Sequence, residues 1–396
     1  MSGDAIRDVV IVDAVRTPIG RFRGSLTNVR ADHLASSLLR GLADRNGLDP
    51  VEIDDVVFGC VTQVGEQCGN IARTALLSAG WPDKIPGMTV DRKCGSSEAA
   101  IHTATAFVAS GMFDMVIAGG AENMTRVPMG GNRDVHGEAF GWMLNERFQL
   151  TSQGEAAEVI SDKWHISRAD HDDFAIESHK RAAAAADAGH FDREIVPLDI
   201  VALAEKGCEP DKKRLVADET IRRDTSREKL DTLKRVFRPE GGRVSAGNAS
   251  QICDGASAVL LTTHKKAAEL GLKPRARIVA TTVVGSDPEL MLTGPISATR
   301  DILRKAGLTM DQIGLFEVNE AFASVPIAWM KELGVPHEKL NVNGGAIALG
   351  HPLGATGARI MTTLLGALEQ RGGRYGLQAI CCAGGLGTAT IIERLD

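Results

Sequence analysis

A series of strand and helix signals in the first third of the chain returns in its last third, and this repeat restricts the possible folds most. Short apolar, β-branched runs predict buried strands, and stretches with helical spacing of apolar residues follow them. In the first third, the predicted strands are 9–12, 56–59, 88–90 and 115–118, and the predicted helices are 31–42, 70–79 and 96–110. In the last third, the matching strands are 277–280, 315–318, 340–343 and 379–382, and helix 297–306 matches the first helix.

This alternation of strands and helices predicts an α/β fold with a mainly parallel sheet covered on both faces. The repeat itself indicates an internal duplication. A further apolar run at 259–262 predicts a strand that returns to the first half. Two such halves would bury one face against each other, and the reactive loops of both would then meet.

The loop at 343–357 contains five glycines and a single histidine, His351. Glycine allows positive φ and close approach of another backbone or a ligand. The run 346–349 is apolar, which favours a buried, shaped loop that leads into a helix near Thr356. The alternative is a flexible turn in which the histidine has no role.

Cysteines stand at two further junctions. Cys94 follows the predicted strand 88–90 and precedes an alanine-rich helix, where the positive end of the helix dipole would lower a thiol pKa and favour a nucleophile. Cys381 and Cys382 precede a second glycine loop. A lone cysteine is usually a small core residue, but the combination with His351 is much more specific.

In these motifs the chain resembles the thiolase family, and the resemblance runs from Val9 to Arg394. The matching elements, in the family's order and spacing, are Cys94-Gly95-Ser96, Gly247-Asn248-Ala249-Ser250, Asp254-Gly255-Ala256, Asn319-Glu320-Ala321-Phe322, Gly350-His351-Pro352 and Cys381-Cys382-Ala383-Gly384-Gly385.

The resemblance implies the thiolase fold, in which two duplicated βαβαβαββ halves form a layered α-β-α-β-α core with an inserted loop domain. Residues 1–121 and 252–273 are expected to form the N-terminal half and 274–396 the C-terminal half. Residues 122–251 are expected to be the loop domain, which covers the active site and binds CoA. This segment is rich in charge and poor in strand signals; a solvated excursion without a role is the alternative, but structureless loops of such length are rare in compact domains.

The resemblance also implies an acyltransferase that cleaves 3-ketoacyl-CoA to acetyl-CoA and a shortened acyl-CoA, or runs the reverse condensation. Cys94 matches the nucleophile that carries the acyl group, and His351 the base that activates it. Cys381 matches the acid/base at the α-carbon, a task suited to a thiol whose pKa can be tuned. The adjacent Cys382 is expected to point elsewhere and to belong to the core.

Two oxyanions must be stabilised in this reaction. The resemblance assigns one to His351 together with a water held by Asn319, and the other to the backbone N–H groups of Cys94 and Ala383. Asn319 could instead, or in addition, cap a helix before Glu320. The substrate and CoA contacts implied by the resemblance are Ser250, Arg222 and Phe322.

The chain departs from the family pattern near the nucleophile and in the loop domain. Ser97 and Glu98 stand where glycine and an apolar residue are frequent. Short-chain members usually carry His-Met-Gly where this chain has Ser152-Gln153-Gly154. The loss of that bulk favours a degradative thiolase for longer or bulkier acyl chains, including sterol side chains, in fatty-acid β-oxidation.

Three other functions compete with this prediction. The first is a biosynthetic acetyl-CoA acetyltransferase that makes acetoacetyl-CoA. The second is a ketoacyl synthase, which shares the duplicated fold but has histidine or asparagine where this chain has Cys381. The third is a non-catalytic CoA- or lipid-binding protein on the same fold, which the presence of Cys94, His351 and Cys381 disfavours.

Composition and the cysteine pattern limit the partners, metals and cofactors that we expect. The formal net charge of −6 argues against a nucleic-acid surface, and no apolar run is long enough to span a bilayer. The seven cysteines form no Cys-x-x-Cys pair, so we expect no metal site and reduced thiols in the cytoplasm. CoA and acetyl-CoA are expected as substrates, with no permanently bound cofactor. The family resemblance and the frequency of two-fold symmetry predict a homodimer or a tetramer built from dimers.

Overall fold

The computed structural model describes residues 7–133 and 136–395. Residues 1–6, 134–135 and 396, which belong to the predicted ranges 1–121, 122–251 and 274–396, lie outside the described residues. The strands are β1 (Val9–Arg16), β2 (Gly20–Arg21), β3 (Asp55–Gly59), β4 (Gly87–Val90), β5 (Met115–Asn123), β6 (Leu198–Asp199), β7 (Arg214–Leu215), β8 (Cys253–Thr263), β9 (Ala276–Gly285), β10 (Leu315–Val318), β11 (Tyr375–Cys382) and β12 (Leu386–Arg394). The helices are α1 (Ala31–Asn46), α2 (Ile71–Ser78), α3 (Ser96–Ala109), α4 (Trp142–Asn145), α5 (Gln153–Lys163), α6 (Arg168–Asp187), α7 (Ile200–Leu203), α8 (Arg227–Asp231), α9 (His264–Glu269), α10 (Gly294–Ala306), α11 (Ser324–Leu333), α12 (Ala346–Leu349) and α13 (Thr356–Arg371).

The duplication is visible in the order of the strands. The large sheet runs β10-β11-β12-β9-β1-β8-β5-β3-β4, with β2 beside β8. From β1 outward the first half reads β1-β8-β5-β3, and from β9 outward the second half reads β9-β12-β11-β10. The halves join through two residue pairs, Val10 with Arg277 and Ile11 with Ala276.

The prediction of a mainly parallel sheet is wrong, because the sheet is mixed. The pairs β3–β4, β3–β5 and β10–β11 are parallel, whereas β8 and β12 run antiparallel to both of their neighbours in the strand order. The turn 383–385 is too short for a helical crossover, so β12 has to return antiparallel to β11.

Three hydrophobic clusters define the layers. The first joins α1 and α2 to one face of the first half, through residues such as Leu38 and Leu76. The second joins α10 and α11 to the second half, through residues such as Ile302 and Trp329. Between them, α3 and α13 pack on each other and on strands of both halves. The expected α-β-α-β-α order is thereby confirmed, and it places the start of α3 and the loop before α13 together.

The predicted strand 340–343 is not formed, and only Leu340 makes an isolated bridge, to Phe316. Asn341 has a positive φ of 47°, which ends any extended run there. Its side chain replaces the hydrogen bonds that a neighbouring strand would make to β10. Oδ1 accepts from the Val318 backbone N–H and Nδ2 donates to the Val318 carbonyl, each at 2.9 Å. The chain is thereby turned into the glycine loop that carries His351.

The segment 122–251 contributes helices α4 to α8 and the short strands β6 and β7. Its longest helix, α6, starts with a capping box between Ser167 and Asp170. Ser178 on this helix accepts from the Gly345 backbone N–H at 3.1 Å, so α6 supports the His351 loop directly. Among the described helices, none is long and apolar enough to cross a membrane.

Candidate active site

Cys94 lies in the turn before α3, immediately ahead of the N-cap residue Gly95, and is 3% exposed. The backbone N–H groups of Cys94 itself and of Ala383 lie near enough to its sulfur to favour the thiolate. Burial nevertheless raises the pKa of the Cys94 thiol to about 12. The expectation of a lowered pKa is therefore wrong for the resting chain, because desolvation of the thiolate outweighs the helix dipole and the two donors. Cys94 needs a base.

His351 has the properties of that base. Its Nδ1 lies 2.6 Å from the Thr356 hydroxyl, which itself donates to the Pro352 carbonyl at 2.8 Å. Because that hydroxyl has one proton, it accepts from Nδ1–H, and the lone pair of the imidazole stays on Nε2. Burial, and then the nearby Arg359 guanidinium, lower the pKa of His351 to about 3. The imidazole is thus neutral at physiological pH.

Glycines bring the His351 loop against the turn that carries Cys94. A Cβ on Gly354 would lie 2.6 Å from the Gly59 carbonyl, and one on Gly357 would lie 2.3 Å from the Glu98 backbone nitrogen. The Gly354 N–H donates to the buried Glu122 carboxylate at 2.9 Å. The glycine-rich sequence is therefore required by close backbone approach, as expected, and not by flexibility.

The second cysteine pair ends β11. Both thiols are buried, and burial together with the neighbouring Cys94 sulfur raises the pKa of Cys381. Cys382 is a core residue, as predicted, but it does not point away from the site. It packs in the same cluster as Cys94, and a Cβ on Gly95 would lie 2.7 Å from its sulfur. Both cysteines flank the nucleophile because the α3 turn crosses the end of the β11–β12 hairpin.

Asn319 follows β10 and is 1% exposed. Its Nδ2 lies 3.5 Å from His351 Nε2, and its Oδ1 has no hydrogen-bond partner among the described residues. The alternative role as a helix cap is wrong, since α11 begins only at Ser324 with Ala323 as its N-cap residue. Asn319 is thus left to face His351.

The residues predicted to contact the substrate are spread over a larger surface. The Ser250 N–H donates to the Ala321 carbonyl at 3.0 Å, which brings it beside Phe322. Phe322 meets the ring of Phe237 edge-on at 6.2 Å. Arg222 is exposed and donates to Gln251 Oε1 at 3.3 Å, farther out on the surface.

Several residues of this region were missed by sequence reasoning. Phe237 lies in a charged stretch that gives no signal, yet its ring is 2.0 Å from where a Cβ on Gly154 would stand. Thr356 fixes the tautomer of His351. Gln251 donates to the carbonyls of Thr220 and of Ile347, the second of which lies in the His351 loop; it directly follows the family motif that ends at Ser250 and lies outside that motif.

Glu98, noted as a departure from the family pattern, is fully buried one turn after Cys94. Its carboxylate accepts from the hydroxyls of Thr388 and Thr390, the latter at 2.6 Å. Burial raises the pKa of Glu98 to about 7 despite these donors. Ser97 accepts from the Ala358 N–H at 3.0 Å and ties α3 to α13. Both side chains hold the site's frame and do not face the substrate side.

Comparisons with known proteins agree with this geometry. The family models described as "Thiolase, N-terminal domain" and "Thiolase, C-terminal domain" match residues 9–265 and 272–394. The chain is 45% identical to a steroid 3-ketoacyl-CoA thiolase, FadA6, of Mycobacterium tuberculosis, over 99% of this chain and 96% of that protein. It is 46% identical to a 3-ketoacyl-CoA thiolase of Cronobacter sakazakii, over 98% and 99% respectively.

Among solved structures, the acetyl-CoA acetyltransferase of Bacillus anthracis superposes with a TM-score of 0.89 at 39% identity, over 99% of this chain and 100% of that one. Both family models, the relatives that match nearly end to end and the arrangement of Cys94, His351, Cys381 and Asn319 lead to one conclusion: the chain belongs to the thiolase family.

Proposed function

We propose that this thiolase cleaves 3-ketoacyl-CoA with free CoA, giving acetyl-CoA and an acyl-CoA shortened by two carbons, with Cys94 carrying the acyl group. The observation that supports this most is that two segments in close backbone contact carry a buried, protonated thiol and a neutral histidine whose basic nitrogen is fixed as Nε2. Neither group is charged at rest, so proton transfer between them creates the thiolate only when the substrate is in place.

The proposed steps balance as follows. His351 Nε2 takes the Cys94 proton, and the thiolate attacks the 3-keto carbon. The bond between C2 and C3 then breaks, the acyl group stays on sulfur, and the Cys381 thiol donates its proton to C2 of the departing acetyl-CoA enolate. Free CoA next gives its thiol proton to Cys381 and attacks the acyl carbon. Cys94 leaves as a thiolate and regains its proton from His351.

Two oxyanion positions are part of the proposal. The backbone N–H groups of Cys94 and Ala383, which meet at the Cys94 sulfur, are suited to an oxyanion on the acyl carbon. The enolate oxygen would be held by His351 and by a water bound to Asn319, whose Oδ1 has no partner among the described side chains and backbone and can accept a hydrogen bond from that water. Alanine at position 383 keeps the backbone N–H that this role requires.

For the rest of the chain we propose the division expected from the sequence: halves at 1–121 with 252–273 and at 274–396, and a loop domain at 122–251. Ser250, Phe322 and the exposed Arg222 are proposed to contact CoA along the side of this domain. The support is that Ser250 and Phe322 adjoin Asn319, whereas Arg222 offers a cation at the surface.

We predict that kcat/KM is higher for medium or longer 3-ketoacyl-CoA than for acetoacetyl-CoA. Ser152 is used as the N-cap of α5, and Glu155 is paired with Arg238 at 2.9 Å, so neither adds bulk or unpaired charge to a channel. Each buried methylene is worth ~0.8 kcal/mol, so two or three extra methylenes favour the longer substrate by about tenfold or more. Measurement of kcat/KM over a series of 3-ketoacyl-CoA chain lengths tests this. A maximum at acetoacetyl-CoA would support the biosynthetic acetyl-CoA acetyltransferase instead.

We also propose a homodimer, alone or paired into a tetramer. Strand β4 ends the sheet, its residues are half-buried, and its outer edge is unpaired within the described residues. Such an edge is ready to pair with another chain, and a two-fold axis would place two β4 strands side by side. We expect light scattering to show a multiple of the 42.0 kDa chain; a stable, active monomer would contradict the proposal.

The proposed setting is the cytoplasm, with CoA and acetyl-CoA as substrates and no cofactor bound permanently. The support is that all seven cysteines are free, which suits a reducing compartment. Recovery of the active chain from an oxidising compartment would overturn the cytoplasmic setting. A small molecule bound stoichiometrically to the purified chain in native mass spectrometry would overturn the absence of a permanent cofactor.

A further inference from the structure

Gln251 lies at a crossing of three segments, between the predicted CoA contact Ser250 and the start of β8. Its Nε2 donates to the Thr220 carbonyl at 2.8 Å and to the Ile347 carbonyl at 2.9 Å. Its Oε1 accepts from Arg222 Nη2 at 3.3 Å. One half-buried side chain therefore uses both ends of its amide to join segment 122–251 to the loop that carries His351.

The contact to Ile347 matters because of where Ile347 stands. Helix α12 has only four residues, and the last carbonyls of a helix have no partner within it. Gln251 supplies a donor to one of them. Its own backbone carbonyl faces the His351 N–H at 3.4 Å. Gln251 thus holds the chain on both sides of Gly350, where a positive φ of 89° turns the backbone just before His351.

The contact to Arg222 points in the opposite direction, toward the surface. The Arg222 backbone N–H donates to the Nδ1 of the buried His179 at 3.1 Å, which fixes the start of its side chain, while the guanidinium is exposed. An anion bound by this guanidinium would act on the amide of Gln251 directly. The amide is planar, so a shift at Oε1 is passed to Nε2 and to its two carbonyl acceptors.

We propose that Gln251 is a positioning residue that couples Arg222, at the CoA side of the site, to the placement of His351. The proposal rests on the proposed function, in which His351 is the base and Arg222 contacts CoA. It adds that the binding of an anion at Arg222 and the positioning of His351 as the base are energetically coupled.

A double-mutant cycle in the full-length chain tests the coupling, with Gln251→Ala, Gln251→Glu, Arg222→Ala and the corresponding double variants. Gln251→Glu has nearly the same shape but loses both donated hydrogen bonds. We expect each Gln251 substitution to lower kcat for thiolysis about tenfold, since the hydrogen bonds donated to Thr220 and Ile347 are lost. The acid limb of the pH profile of kcat/KM should move to higher pH, because a looser loop admits water and restores the basicity of His351.

The decisive readout is the effect of Arg222→Ala on kcat. In the parent chain we expect this substitution to raise KM for CoA and to lower kcat about threefold. In either Gln251 background it should raise KM but leave kcat unchanged. Gln312→Ala is the matched control, because this exposed glutamine also bonds a backbone group, the Thr309 N–H, and should change none of these quantities.

Each other outcome has a definite meaning. Loss of thiolysis in the parent chain itself would overturn the proposed function. If the parent is active, two results would overturn the coupling. In the first, Gln251→Glu leaves kcat and the acid limb of the pH profile unchanged. In the second, the effects of Arg222→Ala and Gln251→Glu on kcat simply multiply. Thermal unfolding decides which Gln251 variants are folded, and the isosteric Gln251→Glu suffices if Gln251→Ala is not.

Discussion

Replacement of Cys94 by alanine is expected to reduce thiolysis by at least ~10⁴-fold, as removal of a nucleophile does in other covalent enzymes. The imidazole of His351 then has no thiol to deprotonate. The other buried thiols around the site are Cys253, beside the His351 loop, and Cys381 and Cys382, and burial holds the pKa of each above its ordinary value. Cleavage of 3-ketoacyl-CoA followed by absorbance, with CoA in excess, measures the loss.

The fold should survive this change, because the substitution only removes the sulfur atom and leaves a methyl group in a small apolar cluster. The unfolding midpoint should therefore stay close to that of the parent chain. Cys68→Ala is the control, since this exposed thiol lies outside the site and its loss should leave turnover unchanged. If Cys94→Ala kept one per cent or more of the activity, the assignment of the nucleophile would be wrong.

The second large effect concerns Cys381. Cys381→Ala should lose carbon–carbon cleavage by about 10²–10⁴-fold, the usual contribution of a positioned acid or base. Acylation of Cys94 by an acyl-CoA needs no proton at an α-carbon, and the departing CoA thiolate can take the proton that His351 received from Cys94. A labelled acyl group should therefore still reach Cys94, although more slowly than in the parent chain. The two activities are measured on the same preparation, by absorbance and by incorporation of a radioactive acyl group.

Cys382→Ala is the matched control for Cys381→Ala. Both thiols are buried at the end of β11, but only Cys381 is assigned to proton transfer. Cys382→Ala should lower stability by about 1–3 kcal/mol, as small losses in a packed core do, and should keep most of the turnover. Equal loss of cleavage in both variants would show that packing around Cys94, and not acid/base chemistry, is what they share.

The large-scale architecture could be predicted from the sequence because it depends on apolar periodicity and on glycine. The repeated strands and helices lie where their patterns indicate, and the glycine loop is buried as its apolar residues suggested. The mixed sense of the sheet was missed, since the same apolar run fits a parallel or an antiparallel neighbour. The strand predicted at 340–343 failed because Asn341 replaces backbone ladder contacts by side-chain contacts, which no periodicity reveals.

The site was predictable at the residues whose chemistry is unusual in their context, such as Cys94 and His351. Its electrostatics were not, because the pKa of Cys94 depends on how deeply the folded chain buries it. Thr356 and Gln251 were missed for a related reason. Common polar residues acquire their roles from contacts across the fold, and Thr356 matters only because it meets Nδ1 of His351.

If the acyl group passes through Cys94, it can be trapped there as a thioester. The chain is mixed with an acyl-CoA in the absence of free CoA, quenched in acid and digested, and the peptides are identified by tandem mass spectrometry. We expect one acyl group per chain, on the peptide that contains Cys94, and none when Cys94 is alanine. An acyl group on Cys381 or Cys382, or turnover with no acylated cysteine, would contradict this expectation.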